Sequence, residues 1–240
     1  MSRLRAVTLD YWDTLYDGSN LDERLALRVA AVGRLLASYD LEISADRLHE
    51  LYRDSGREAE RWWREEHRGY TTEDRLHWML RQAGATPRDR CVHVDAAVRA
   101  IDDALLAYPP SLLPGVAEAL DRLARRFPLA IVSDTGFASG RGQDRLLAHD
   151  GLLDRFAVRV YSCDVGHAKP RPEPFRAALA ALGVAPGEAL HVGDIERTDV
   201  RGARAIGMRA VRLDVVRRSG ATDAELVAAT YEELLQHVGA

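Results

Sequence analysis

Lys169 is the sole lysine in a chain of 240 residues; all the other Lys and Arg positions, 32 of 33, are arginine. Arginine carries a planar fork, whereas lysine carries a compact point charge on a flexible stem. A site needing one ammonium between two negatively charged groups accounts for the exception, and chance survival in an arginine-biased composition is the plainer alternative. Three further segments carry groups suited to the same chemistry: Asp10 in Val7–Leu15, Ser133 in Ile131–Gly136, and Asp194 with Asp199 in His191–Asp199. A carboxylate at a strand end can attack phosphorus. Magnesium prefers hard oxygen ligands and keeps several waters, so one or two carboxylates suffice to hold it. Each residue also has a plainer reading: Asp10 as a turn or helix cap, Ser133 as a strand-end cap, Asp199 as the N-cap of a helix over 200–206.

These residues must be positioned by the elements around them. Short apolar runs end in polar residues at Arg5–Leu9, Leu129–Val132, Ala157–Tyr161, Ala189–Val192 and Met208–Leu213. Amphipathic helical patterns separate or follow them at Gly115–Arg126, Gln143–His149, Pro172–Leu182, Val200–Ile206 and Asp223–His237. Strands alternating with helices predict a parallel sheet covered on both faces, an α/β fold. In such sheets ligands bind beyond the carboxyl ends of the strands. Asp10, Ser133 and Asp194 stand at such ends. The stretch from about 17 to 107 is strand-poor, with apolar spacing of period 3.6 that predicts helices over 20–38, 45–66, 71–83 and 90–106. Breaks fall at Gly69–Thr72, with Thr71 or Thr72 as N-cap, and at Gly84–Pro87.

The motifs, their order and the helical insert resemble the haloacid dehalogenase (HAD) superfamily over essentially the whole chain. The resemblance implies a Rossmann-like core of residues 1–16 and 108–240, with an inserted all-helical cap domain of residues 17–107. It implies a hydrolase: Asp10 as nucleophile, Ser133 as the hydroxyl that binds the transferring phosphoryl group with Asp134 beside it, and Lys169 bridging nucleophile and phosphoryl oxygens. A Mg2+ ion would be held by Asp10, Asp194, Asp199 and the Trp12 backbone carbonyl. The substrate class implied is a small phosphorylated molecule, hydrolysed through an aspartyl-phosphate.

The pattern breaks at Trp12. Phosphatases of the family carry there an aspartate that protonates the leaving oxygen, and the next position, usually glycine, is Asp13 here. Loss of a general acid costs roughly 10²–10⁴-fold in rate. Asp13 is either a replacement acid or a turn residue in the left-handed region that aspartate visits more readily than most. Alternatively the leaving group needs no proton, as in an acyl phosphate, or the cap or substrate provides the acid. Two rival functions follow from Trp12: a metal-independent 2-haloacid dehalogenase, whose relatives place an aromatic residue there, and a protein that binds a phosphorylated ligand without turnover.

In the insert, adjacent Trp62 and Trp63 must face different ways, so one of them can shape the site. Arg61, Arg64 and Arg68 form a row that either meets an anionic substrate or is solvated and paired with Glu58, Glu60, Glu65 and Glu66. A net charge of −4 argues against nucleic acid as partner. No apolar run is long enough to cross a membrane, two cysteines are too few for a disulfide framework, and Met1–Arg5 lacks a signal-peptide layout, so a cytoplasmic location is expected. Glu196 is a further acidic candidate, expected to be exposed.

Overall fold

The computed structural model describes residues 3–86, 91–215 and 220–240. Pro87 and Arg90, at the edge of the second predicted break and the fourth predicted helix, lie outside them. The chain opens with β1 (Ala6–Leu9), then runs through four helices, α1 (Leu21–Ala37), α2 (Ala45–Arg64), α3 (Thr72–Gln82) and α4 (Val92–Ala107). It continues with α5 (Val116–Ala124), β2 (Leu129–Ser133), α6 (Gly140–His149), β3 (Phe156–Tyr161), the short α7 (Ser162–Val165) and α8 (Pro172–Leu182). The last part holds β4 (Ala189–Gly193), α9 (Arg201–Ala205), β5 (Arg209–Leu213), β6 (Leu226–Ala228) and α10 (Tyr231–Val238).

The six strands form one sheet in the order β3-β2-β1-β4-β5-β6, and every pairing is parallel. Alternating strand residues feed two cores. Val7 and Leu9 pack with Leu120, Leu146 and Leu234 on one face, while Ala6 packs with Phe175 and Ala203 on the other. From β1 the chain moves outward through β2 to β3, then returns to the opposite side as β4. The strand order therefore reverses beside β1, and in open parallel sheets the crevice at such a point receives ligands. Leu9 pairs with both Ile131 and Val192, so the carboxyl ends of β1, β2 and β4 finish level and present Asp10, Ser133 and Asp194 together.

The four helices after β1 share a core of their own, built from Val32, Leu36, Leu51, Leu76, Leu80 and Ile101, which Phe137 joins from beyond β2. Helix α3 starts with a reciprocal cap: Thr71 Oγ1 accepts from the Asp74 N–H, and the Asp74 carboxylate accepts from the Thr71 N–H. The turn from α2 to α3 is fastened to the segment before Lys169. Gly69 N–H donates to Gly166 O at 3.1 Å, and Ala168 N–H donates to His67 O at 2.9 Å. A Cβ on Gly69 would come within 1.8 Å of Ser162 O, so this approach admits only glycine.

The last predicted helix, Asp223–His237, needs correction. Leu226–Ala228 is a strand paired with β5, and the helix begins at Tyr231, where Thr230 Oγ1 accepts from the Glu233 N–H. The edge of the sheet leaves β5 with open backbone groups, and Leu226-Val227-Ala228 fills them. Among the described residues no helix is long and apolar enough to cross a membrane.

Candidate active site

The sole lysine lies where its chemistry requires. Lys169 is 1% exposed, and its Nζ donates to Asp10 Oδ1 and to Asp199 Oδ1, each at 2.6 Å. Its backbone N–H donates to Asp134 Oδ1 at 2.9 Å, which fixes the loop between α7 and α8 against the end of β2. Burial alone would discharge the ammonium, but Asp10, Asp199 and Asp134 outweigh it and hold the Lys169 pKa above the usual lysine range. Burial pushes the Asp10 carboxyl up; Lys169 opposes this, and the charges of Asp199 and Asp194 add to it. Asp199 is likewise buried, yet Lys169 and the His191 contact bring its pKa below the ordinary carboxylate value.

Carboxylate oxygens of Asp10, Asp194 and Asp199 all lie within 4.8 Å of one another, and all three residues are buried. Buried, mutually repelling hard oxygens suit a small divalent cation, which would cancel the repulsion that raises Asp10. Asp199 is the most committed of the three. Besides Lys169, its Oδ1 lies 3.2 Å from His191 Nε2, and its Oδ2 accepts from the Ile195 N–H at 3.0 Å and from Thr198 Oγ1 at 3.2 Å. His191 Nδ1 is in turn 2.7 Å from Thr8 Oγ1, so a buried chain runs from β1 through β4 to the lysine. Burial lowers the His191 pKa, which favours a neutral ring able to donate to Asp199.

Asp199 does not cap the helix that follows it; its carboxylate is taken up by this network instead. A π turn, Glu196–Val200, precedes α9, and it accommodates the spacing from Asp194 to Asp199 while turning Asp199 back under Lys169. Gly193 makes room for it: a Cβ there would lie 2.4 Å from Asp199 Cγ. Gly193→Ala should therefore lower stability by about 1–3 kcal/mol through overpacking, read as an earlier midpoint in denaturant titration. An unchanged midpoint would mean that Asp199 is free to shift.

Ser133 ends β2 as expected, but its hydroxyl donates to Gln143 Oε1 at 2.9 Å. Asp134 binds the Lys169 backbone and accepts from Trp63 Nε1 at 2.9 Å, so its contacts with protein groups position a loop and a tryptophan. Asp13 has φ 55°, the left-handed conformation of the turn reading. Trp12 sets its ring edge-on to Tyr11 with centroids 4.9 Å apart. Glu196 is not exposed as expected: it is half-buried and accepts from Thr222 Oγ1 and the Asp223 N–H, away from the acid cluster.

The acids open into a cavity of about 580 Å3, lined by Asp10, Trp12, Asp13, Asp134 and Asp194 after the strand ends, by Lys169 from the loop before α8, by Arg28, Trp63 and Arg75 from the helices and by Tyr70 from the turn between α2 and α3. Trp63 is the tryptophan of the adjacent pair that faces the site; Trp62 packs against Tyr70. The row of Arg61, Arg64 and Arg68 is solvated and paired with Glu58, Glu66, Glu60 and Asp74. The arginines that reach the cavity are Arg28 and Arg75. No spacing signal marks them, because the residues around them come from separate elements.

The sequence profile of the haloacid dehalogenase-like hydrolases matches residues 4–207. The chain belongs to that family and is an enzyme of the hydrolase class. It is 33% identical to a glyceraldehyde 3-phosphate phosphatase of Methanopyrus kandleri over 211 residues, 88% of this chain and 84% of that protein. It is 40% identical to a phosphoserine phosphatase of Thermus thermophilus over 114 residues, 41% of this chain and 46% of that protein. Its fold matches a 2-haloacid dehalogenase from Pseudomonas syringae with a TM-score of 0.69 at 24% identity, covering 98% of each chain.

Proposed function

We propose that the protein is a magnesium-dependent phosphatase of small phosphorylated molecules, acting through an aspartyl-phosphate on Asp10. The observation that carries this reading is the Lys169 ammonium, 2.6 Å from Asp10 and from Asp199, beside a third buried carboxylate, Asp194. Asp10 attacks phosphorus: an Oδ–P bond forms while the bond to the leaving oxygen breaks. Water then hydrolyses the aspartyl-phosphate, releasing inorganic phosphate and restoring the carboxylate. Lys169 offsets the repulsion between Asp10 and the anionic substrate and holds phosphoryl oxygens as charge shifts. Asp199 keeps the ammonium in place. Asp10 and Asp194, with the Trp12 carbonyl, would hold the cation directly, and Asp199, already engaged by four donors, would do so through water. Bound there, magnesium would neutralise phosphoryl charge.

Ser133 joins this scheme through Gln143. Gln143 Nε2 is buried with no partner. A half-turn of the amide places Nε2 against Ser133 Oγ, and the serine proton is then released for a phosphoryl oxygen. Residues 17–107 act as the cap over a core of 1–16 and 108–240, drawn down by the Trp63–Asp134 bond, and closure would exclude water from the transfer.

The test is phosphate release from a panel of phosphomonoesters with and without EDTA, with Asp10→Asn as blank. Turnover lost on chelation is expected. Halide release from 2-haloacids that persists in EDTA would sink the phosphatase reading in favour of the dehalogenase. The left-handed turn supports a structural Asp13, and asparagine tolerates the same backbone. Asp13→Asn should thus cost less than about tenfold in kcat, well short of the 10²–10⁴ of a lost general acid. Inactivity as complete as that of Asp10→Asn would make Asp13 the acid.

A further inference from the structure

The cavity contains two cations that the chemistry at Asp10 does not use. Arg28 on α1 and Arg75 on α3 are 9% and 8% exposed, and both line the same cavity as Asp10 and Lys169. No ion pair to either guanidinium exists among the described residues. Arg28 Nε is buried without a hydrogen-bond partner. Arg75 is held rigidly: Nε donates to Ser55 Oγ at 3.0 Å and Nη2 to Tyr52 O at 3.4 Å, with its guanidinium 4.0 Å from the Phe137 ring centroid and 5.1 Å from that of Tyr52. Arg24, also buried and one turn from Arg28 on α1, donates to Tyr108 O at 2.9 Å. Of the acids on the cavity's helical side, Glu60 pairs with Arg64 and Asp22 is exposed to solvent.

Burial, with Arg28 nearby, disfavours the charge on Arg75, and two buried guanidiniums without a carboxylate partner among the described residues call for an anion, since an unpaired buried charge is costly. The cavity that holds them and the acid cluster also has aromatic walls from Trp12, Trp63 and Tyr70, and Leu21 and Leu25 on α1 bring apolar surface to it. Resting on the phosphatase reading, we propose that the substrate is a phosphomonoester whose leaving group is a flat apolar body carrying a second anion, carboxylate or phosphate, bound by Arg28 and Arg75. An aryl phosphate of this kind departs as a stabilised phenolate. That agrees with tryptophan standing where an acid is usual.

The test uses Asp10→Asn protein and three probes: phenyl phosphate, 4-carboxyphenyl phosphate and hydroquinone bisphosphate. Calorimetric titration should show one or both dianchored esters binding at least about tenfold tighter than phenyl phosphate, as a charge-assisted pair allows. Whichever does so identifies the anion as carboxylate or phosphate. Adding Arg28→Gln should bring the ratio close to one, and Arg28→Lys, which keeps the charge without the fork, should restore only part of it. Thermal melts verify that the variants are folded, and Arg75→Gln provides a second route if Arg28→Gln is not. Equal affinities for all three probes, no binding of any, or a ratio that survives both arginine substitutions overturns the proposal. Wild-type turnover separates this from the phosphatase reading. Selective binding without phosphate release sinks the hydrolysis and leaves the anion site, whereas equal kcat/KM for all three esters does the reverse.

Discussion

Lys169→Met should be both inactive and markedly less stable. The substitution keeps the length of the stem and removes the charge that Asp10 and Asp199 share at 2.6 Å each. Removing one partner of a buried ion cluster leaves uncompensated charge and costs about 3–5 kcal/mol. For a chain of this size that corresponds to a fall in Tm of about 6–20 °C. Turnover should drop by about 10³-fold or more, since a cation aimed at developing charge is among the largest single contributions to a rate. Lys169→Arg is the sharper comparison. Every other Lys or Arg position in the chain is arginine, so a tolerated arginine would be expected here too if charge alone mattered. The ammonium sits at 1% exposure, with a carboxylate on either side and its own backbone tied to Asp134. A planar fork cannot enter that space without displacing Asp10 or Asp199. Lys169→Arg should remain folded only with a lowered Tm and show no more activity than Lys169→Met. Near-wild-type turnover in the arginine variant would remove the geometric argument for the lone lysine.

That lysine could be singled out from composition alone, and the acids could be placed from the apolar runs before them. Both inferences work because buried parallel strands read as uninterrupted apolar segments, and the residue after each run is forced to the sheet's carboxyl edge. β1, β2 and β4 were visible on that ground, and so was the gathering of Asp10, Asp194 and Lys169. What stayed hidden depends on contacts between distant elements. Leu226-Val227-Ala228 is too short for its own periodicity to mark a strand, and only the open edge of β5 makes it one. The turn that carries Asp199 is a π turn, so a plain helix over 200–206 with Asp199 as its N-cap misses that the side chain turns back to Lys169. Ser133 was legible as a strand-end hydroxyl, but its partner Gln143 is supplied by α6 across the core. The arginine row on α2 had the spacing of a functional face and is solvated. Arg28 and Arg75 had no spacing at all, and they are the ones at the cavity.

The other large effect concerns the leaving group. The wild-type enzyme should hydrolyse aryl phosphates far faster than alkyl phosphates, with a kcat ratio of about 10²–10⁴, the range a general acid contributes to proton transfer in the transition state. An alkoxide leaves poorly without a proton, while a phenolate spreads its negative charge over the ring and can leave unprotonated. Trp12 cannot supply that proton: an indole N–H is far too weak an acid, and its ring is packed edge-on to Tyr11 with centroids 4.9 Å apart. Asp13, one residue on, sits in the left-handed turn and donates its backbone N–H to Tyr16 O at 2.8 Å, so it braces the loop that aims Asp10. Trp12→Asp should then act selectively. It returns a carboxyl to the position beside the nucleophile and should raise turnover of alkyl phosphates by about 10²-fold, leaving aryl phosphates within about tenfold of wild type. The same change removes an aromatic wall and about 2 kcal/mol of apolar burial, so a lower Tm accompanies the gain. Asp13→Asn should leave the aryl-to-alkyl ratio where it was. A wild-type enzyme equally fast on both classes would show that a proton donor is already present, from the substrate or from another side chain at the cavity, and the role assigned to the tryptophan would fall with it.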